Sequence, residues 1–290
     1  MPGFDGDDPT AHLLAWGELQ PNAPALMAPD RPPMTFGELG ERIRVVGARL
    51  AQWGIGRGDV VVWPVVDRLT SAAAQAIMPA SSTLMPLPAS ITDAAAMEML
   101  RRLQPRAIAL PSGTTHPFAD LARQLGIATI SVTADAHGTA GAFELGLERR
   151  DVSLQRARSL SGGVAYVSAT SGSTGRPKLV PHGRRQLMAM IRAAGERLAI
   201  GPGDVSAHVV PLHLASGMRP AFMFSLLRGG AVDVLPEADA QALLAAVARG
   251  DVTYITAPFT YHRELLIRPD AIRSVAPVSV PPVMASRISS

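Results

Sequence analysis

The sequence predicts an α/β fold in which two stacked layers of mostly parallel sheet are flanked by helices. Short apolar segments typical of buried strands alternate with segments whose apolar residues recur at helical spacing. That alternation is typical of parallel sheets covered by helices on both faces. A polar, glycine-containing stretch at 133–162 has no clear period, so we expect a first subdomain over residues 1–150 and a second over residues 151–290.

The first subdomain is predicted from helix caps and apolar runs. Thr35 and Glu38 have the spacing of a capping box, apolar residues follow at helical spacing, and Gly54 ends the helix. The run VVVWPVV at 60–66 is typical of a buried strand. The remaining predicted elements are helix 70–79, strand 83–87, helix 92–104, strand 107–110, helix 117–125 and strand 127–132.

The second subdomain repeats this pattern. Its predicted elements are strand 164–169, helix 184–198, strand 205–210, helix 217–228, strand 231–235, helix 238–248, strand 252–256 and helix 258–267. A strand and turn at 274–282 are followed by a segment long enough for about two helical turns. We therefore expect this second layer to be incomplete at its C-terminus.

Composition excludes several classes of function. The net charge is only +3 and the basic residues are scattered, so no clustered face for nucleic acid is expected. The chain has no cysteine, which excludes disulfides and thiolate metal sites. The acidic N-terminus lacks the apolar core of a signal peptide, and the apolar stretch at 72–89 is too interrupted to span a membrane. We expect a soluble cytoplasmic protein.

The segment TSGSTGRPK at 170–178 contains the only lysine of the chain, Lys178; the other 26 of the 27 basic residues are arginine. Its first six residues are four hydroxyl residues and two glycines, which suit a loop that turns backbone N–H groups and hydroxyls toward an anion. A lysine adds a mobile point charge that can follow a phosphate. The segment therefore predicts a phosphate-binding loop; the simpler alternative is an exposed loop with an incidental lysine.

Two known loop patterns do not fit. The P-loop of nucleoside triphosphatases needs four residues between its glycines and a hydroxyl residue after its lysine. Here two residues separate Gly172 from Gly175, and Leu179 follows Lys178. Amidase-type hydrolases have a catalytic lysine before the serine-rich segment, and no lysine precedes residue 170.

The stretch YVSATSGSTGRPKLVPH at 166–182 resembles the signature of the adenylate-forming superfamily, T-S-G-[ST]-T-G-x-P-K-G, at every position except the last, where Leu179 replaces glycine. This superfamily includes acyl-CoA synthetases, luciferases and the adenylation domains of peptide synthetases. Weaker likenesses to its other conserved segments lie at 33–39, 56–60, 86–88, 211–217, 227–232, 252–258 and 280–284.

The resemblance implies the N-terminal domain of the adenylate-forming fold and ATP-dependent activation of a carboxylic acid, a fatty or other acyl acid, as an acyl-adenylate. CoA then accepts the acyl group, and Mg²⁺ arrives with ATP. It assigns phosphate contacts to these residues: Thr170, Ser171, Gly172, Ser173, Thr174, Gly175 and Lys178. Positioning and charge neutralisation replace a protein nucleophile, so we assign no catalytic residue and no metal ligand.

Parts of the superfamily pattern are missing. None of the three tyrosines precedes a glycine, so its Tyr-Gly-x-Thr-Glu segment is absent, and a second lysine for the adenylation step cannot be present. We expect the chain to be the N-terminal part of such an enzyme without its small C-terminal domain, and weak or inactive in full turnover. Two alternatives remain open: a subunit of a split ligase whose second chain supplies the missing part, and a non-catalytic remnant that binds a nucleotide or a protein.

Two histidines lie near segments that carry the resemblance. His213 falls in a segment where the superfamily places a histidine near the acyl pocket, but in ungapped alignment that histidine falls on Leu214. A core or rim position is therefore the preferred interpretation of His213. His182 follows the loop closely, and holding the loop is one interpretation of it.

Overall fold

A computed structural model describes residues 6–65, 67–88, 90–91, 93–149, 159–170, 177–236, 239–257 and 286–287. The strands are β1 (Pro24–Met27), β2 (Met34–Thr35), β3 (Val60–Val65), β4 (Thr83–Pro88), β5 (Ala107–Pro111), β6 (Ala128–Ala134), β7 (Phe143–Arg149), β8 (Val164–Thr170), β9 (Lys178–Gly183), β10 (Val205–His208), β11 (Ala231–Val234), β12 (Tyr254–Thr256) and β13 (Ser286–Arg287). The helices are α1 (Pro9–Leu19), α2 (Phe36–Gln52), α3 (Arg68–Ile77), α4 (Asp93–Leu103), α5 (Pro117–Leu125), α6 (Arg184–Leu198), α7 (Phe224–Leu227) and α8 (Ala240–Arg249).

The chain divides into two compact units, one of residues 40–187 and one of residues 1–39 with 188–290. This division differs from the boundary expected at residue 150. The reason is strand pairing: β8 pairs in parallel with β4, which places β8 and β9 in the same sheet as β3 to β7. A break in periodicity along the chain cannot reveal such a long-range pairing.

The unit of residues 40–187 contains a seven-stranded sheet in the order β7-β6-β5-β3-β4-β8-β9. Its five inner strands run parallel, and the two outer strands, β7 and β9, run antiparallel to their neighbours. Apolar side chains of β3, β4, β5 and β8 pack with those of α4 and α5 in one buried cluster. The predicted α/β fold with mostly parallel strands is confirmed here.

The strand β7 differs from the sequence prediction, which placed a connection at 133–162. Phe143 and Leu145 are buried while Glu144 between them is exposed, the alternation of a strand with one covered face. Arg42 and Arg49 of α2 donate to the backbone oxygens of Phe143 and Leu145, at 3.1 Å and 2.6 Å. These contacts occupy acceptors that an edge strand otherwise leaves unpaired.

The turn before β3 depends on a glycine. Gly58 has φ +94°, and a Cβ at this position would lie 2.3 Å from the backbone oxygen of Leu160. The backbone N–H of Leu160 donates to the oxygen of Gly58 at 2.8 Å. Only glycine allows both this conformation and this close approach.

The second unit contains a six-stranded sheet in the order β13-β12-β10-β11-β1-β2. Its inner pairs are parallel, and β2 and β13 pair antiparallel at the edges. The helix predicted at 217–228 is a π-helical segment, Gly217–Met223, that continues into α7. Pro220 lies inside that segment and has no N–H for an α-helical hydrogen bond. The helix predicted at 258–267 lies outside the described residues.

Among the described helices, none is both long and apolar enough to span a membrane.

Candidate active site

The strand β8 leads from the core of the seven-stranded sheet to the predicted phosphate loop. Tyr166 is 1% exposed, and its hydroxyl donates to the backbone oxygen of Gln75 at 2.6 Å. Burial raises the pKa of Tyr166, and the positive charge of Arg184 opposes that rise in part. Tyr166 is therefore a neutral, structural hydroxyl at neutral pH.

The strand β9 returns antiparallel to β8, and its register places two predicted site residues opposite each other. Thr170, the last residue of β8, pairs with Lys178, the first residue of β9, and the Lys178 side chain is exposed. The other predicted contacts, Ser171, Gly172, Ser173, Thr174 and Gly175, lie outside the described residues. The pairing places the chain's single lysine at the end of the β8–β9 hairpin.

A buried hydrogen bond joins the two strands of this hairpin. The Oγ of Ser168 on β8 lies 2.8 Å from the Nε2 of His182 on β9. Ser168 is 1% exposed and His182 is 7% exposed. His182 thus lies on the strand that follows the loop and contacts the strand that precedes it.

Two further contacts hold the start of β9. Arg102 of α4 donates from Nη1 to the backbone oxygen of Pro177 at 2.9 Å. Leu179, which departs from the superfamily pattern, is partly buried and packs against the apolar cluster of the seven-stranded sheet. The leucine therefore adds packing at a position where glycine would add none.

Arg184 holds the other end of β9. Arg184 is 4% exposed, and its guanidinium donates to the backbone oxygens of Gly162, at 3.1 Å, and Ser82, at 3.4 Å. It also donates to the backbone oxygen of Pro79. Sequence reasoning missed this residue, because its partners are backbone oxygens far away in the chain.

A small cavity lies at the carboxyl ends of β3, β5 and β6, where parallel sheets often bind ligands. Its volume is about 60 Å³, and its walls include Trp63, Pro111 and Ser71. The Nε1 of Trp63 donates to the Oγ of Ser71 at 3.0 Å.

In the other unit, two of the described histidines lie at or after the end of β10. His213 is partly buried in the turn after β10. His208, at the end of β10, is fully buried; its Nε2 lies 2.9 Å from the backbone oxygen of Gly217, and its ring contacts Phe222 edge-on. Within the described part of the chain, no three His, Asp or Glu side chains form a group that could hold a metal ion.

Comparison with known protein families matches residues 13–279 to the family described as AMP-binding enzyme. A methyl-dioxo-octahydro-indenyl propanoyl:CoA ligase of Rhodococcus jostii (strain RHA1) is 26% identical over 254 residues, which cover 82% of this chain and 49% of the ligase. The phenyloxazoline synthase MbtB of Mycolicibacterium paratuberculosis is 30% identical over 225 residues, which cover 76% of this chain and 18% of the synthase.

Solved structures share the fold. Apo MatB from Rhodopseudomonas palustris superposes with a TM-score of 0.72 at 20% identity, over 91% of this chain and 51% of that protein. CmiS6 superposes with a TM-score of 0.72 at 19% identity, over 93% of this chain and 63% of that protein. The chain thus spans about half the length of the Rhodococcus ligase and of MatB.

Proposed function

The chain belongs to the AMP-binding enzyme family, and from this membership we propose that it binds the phosphates of MgATP and that the protein activates a carboxylic acid as an acyl-adenylate. The observation that supports this most is the place of Lys178, the chain's single lysine, opposite Thr170 at the end of the β8–β9 hairpin. We further propose a fatty or other acyl acid as substrate and CoA as the acceptor.

Formation of the acyl-adenylate would need the protein to position the substrates and to neutralise phosphate charge, without a protein nucleophile. The acid's carboxylate oxygen attacks the α-phosphorus, the bond to the β-phosphate oxygen breaks, and pyrophosphate leaves. The hydroxyls and backbone N–H groups of residues 170–175 would donate to the phosphate oxygens, and Lys178 would neutralise negative charge on them. Mg²⁺ arrives with ATP and supplies further charge neutralisation.

The role of Lys178 is tested by MgATP binding. We expect Lys178→Ala to weaken binding at least about tenfold, since a charge-assisted hydrogen bond contributes about 1.5–3 kcal/mol. Lys178→Arg should lose less MgATP affinity than Lys178→Ala, because it keeps the positive charge. It should still bind less tightly than the original chain, because it replaces a compact ammonium with a planar guanidinium. Isothermal titration of the 290-residue chain with MgATP measures both.

The matched control is Arg123→Ala, which removes an exposed positive charge paired with Asp120 on α5 of the same unit. It should leave MgATP affinity unchanged. Equal affinity for the original chain, Lys178→Ala and Arg123→Ala would contradict the proposed phosphate contact.

A further inference from the structure

The hydrogen bond between Ser168 and His182 lies next to a register irregularity of the β8–β9 hairpin, at the end of the regular pairs that run to Thr170–Lys178. The register is irregular between the Val164–Gly183 and Tyr166–His182 pairs, immediately beside this hydrogen bond. Pro181, opposite Val167, has no N–H for the ladder. A directional side-chain hydrogen bond at this point therefore adds to what specifies the register of the hairpin.

The face of β9 connects this hydrogen bond to the lysine. Alternate residues of a strand share a face, so Lys178 and His182 lie on the same side of β9, four residues apart. His182 is 7% exposed, while Lys178 is exposed at the hairpin's end. A slip of one residue would turn the lysine to the opposite face.

We propose that Ser168 and His182 are positioning residues that set the place of Lys178, with Arg102 holding the adjacent Pro177 oxygen. The hydrogen bond acts by fixing the pairing of β9 with β8 and does not itself contact a phosphate. The relevance of this role to nucleotide binding rests on the proposed function. The placement of the lysine can be tested without any nucleotide.

The single lysine makes that test direct. Reductive methylation with ¹³C-formaldehyde keeps the charge and labels one side chain, Lys178, besides the α-amino group. The Lys178→Arg variant has no lysine, so the signal that remains in it identifies the α-amine. We expect Ser168→Ala and His182→Phe to shift or broaden the Lys178 signal.

Two further variants control this experiment. Ser131→Ala removes a matched cross-strand hydrogen bond in the same sheet, from the Ser131 Oγ to the Gly146 oxygen at 3.2 Å, and should leave the Lys178 signal unchanged. His182→Gln places an amide where the imidazole Nε2 lies, so it should restore the original signal. If His182→Phe does not fold, the comparison of Ser168→Ala with His182→Gln still tests the positioning role.

MgATP titrations of the unmethylated variants connect placement to function. We expect Ser168→Ala and His182→Phe each to weaken binding about fivefold to tenfold, the loss that one hydrogen bond can produce. Because the pair acts as a unit, the double variant should lose no more than either single one. In the Lys178→Ala background, Ser168→Ala and His182→Phe should not weaken MgATP binding further.

The outcomes separate this inference from the proposed function. An unchanged Lys178 signal in folded Ser168→Ala and His182→Phe variants overturns the inference, whatever happens to MgATP affinity. An equal loss of affinity in the presence and absence of Lys178 also overturns it. A changed signal in a chain that does not bind MgATP supports the positioning role and refutes the proposed function.

Discussion

At the scale of single residues, Asp233 shows how this chain accommodates a buried charge. Asp233 on β11 is 1% exposed and forms an ion pair with Arg249 at the end of α8. Burial raises the pKa of Asp233 above its ordinary value of 3.8, the charge and hydrogen bond of Arg249 lower it in part, and the charge of Asp251 adds to the rise. The pair therefore holds a carboxylate in surroundings that favour its protonated form.

These opposing effects on the pKa of Asp233 predict that Arg249→Met lowers the free energy of unfolding by an amount that depends on pH. A raised pKa means that the folded state holds the proton more tightly than the unfolded state, so the free energy of unfolding falls as pH rises above 3.8. Removing Arg249 raises the pKa of Asp233 further and extends that fall to higher pH. Because Arg249 is 41% exposed, water screens part of the interaction, and we expect a loss of about 1–2 kcal/mol at pH 8 and a smaller loss at pH 5.

Urea unfolding at the two pH values measures this difference. Asp233→Asn in the Arg249→Met background serves as the control, since it removes the titrating group and should remove the pH dependence. An equal loss of stability at pH 5 and pH 8 would show that Arg249 contributes by packing alone.

At the scale of elements, the start of α2 shows a local signal that the structure confirms. The backbone N–H of Thr35 donates to the Glu38 carboxylate at 2.8 Å, and the backbone N–H of Glu38 donates to the Thr35 Oγ1 at 3.2 Å. This is the capping box predicted from the spacing of these two residues. It satisfies two N–H groups at the helix start without help from distant residues.

Thr35→Ala should therefore lower the free energy of unfolding by about 1 kcal/mol, the usual contribution of an N-terminal cap. Glu41→Ala is the control within α2, because it removes only an exposed contact with Arg44 and should cost less than about 0.5 kcal/mol. Chemical denaturation measures both variants. Equal stabilities of Thr35→Ala and Glu41→Ala would argue against a stabilising cap.

At the scale of the whole molecule, the family assignment covers most of this chain, while the chain covers about half of the Rhodococcus ligase. The superfamily resemblance implies a second lysine and a Tyr-Gly-x-Thr-Glu segment for adenylation, and neither is present in these 290 residues. Nucleotide binding and turnover can therefore be separated experimentally in this chain.

We expect the 290-residue chain to bind MgATP but to give little acid-dependent pyrophosphate exchange, because the second lysine is absent. Exchange is measured with labelled pyrophosphate across a panel of aliphatic acids, with Lys178→Ala as the blank. Robust, Lys178-dependent exchange by the chain alone would contradict this expectation. Exchange that appears only with an added second polypeptide would support the split-ligase alternative.

Local patterns were sufficient to predict much of the fold. The helix α5 and the helix α6 begin and end where periodicity and caps predict, because helix signals lie within a few residues of each other. The residue types alone predict phosphate binding by the loop at 170–178, since phosphate binding is favoured by hydroxyls, glycines and a cation together. Its five central contacts remain predictions.

What the sequence by itself determined is the α/β class and the main strand and helix order, while the phosphate-binding role of the segment at 170–178 stays a prediction. Only the tertiary structure decided that β8 pairs with β4, that β7 forms an edge strand where a connection was expected, and that Ser168 contacts His182. The physical reason is that caps and periodicity act between neighbours in the chain. Strand pairing, in contrast, depends on which distant apolar faces are buried together.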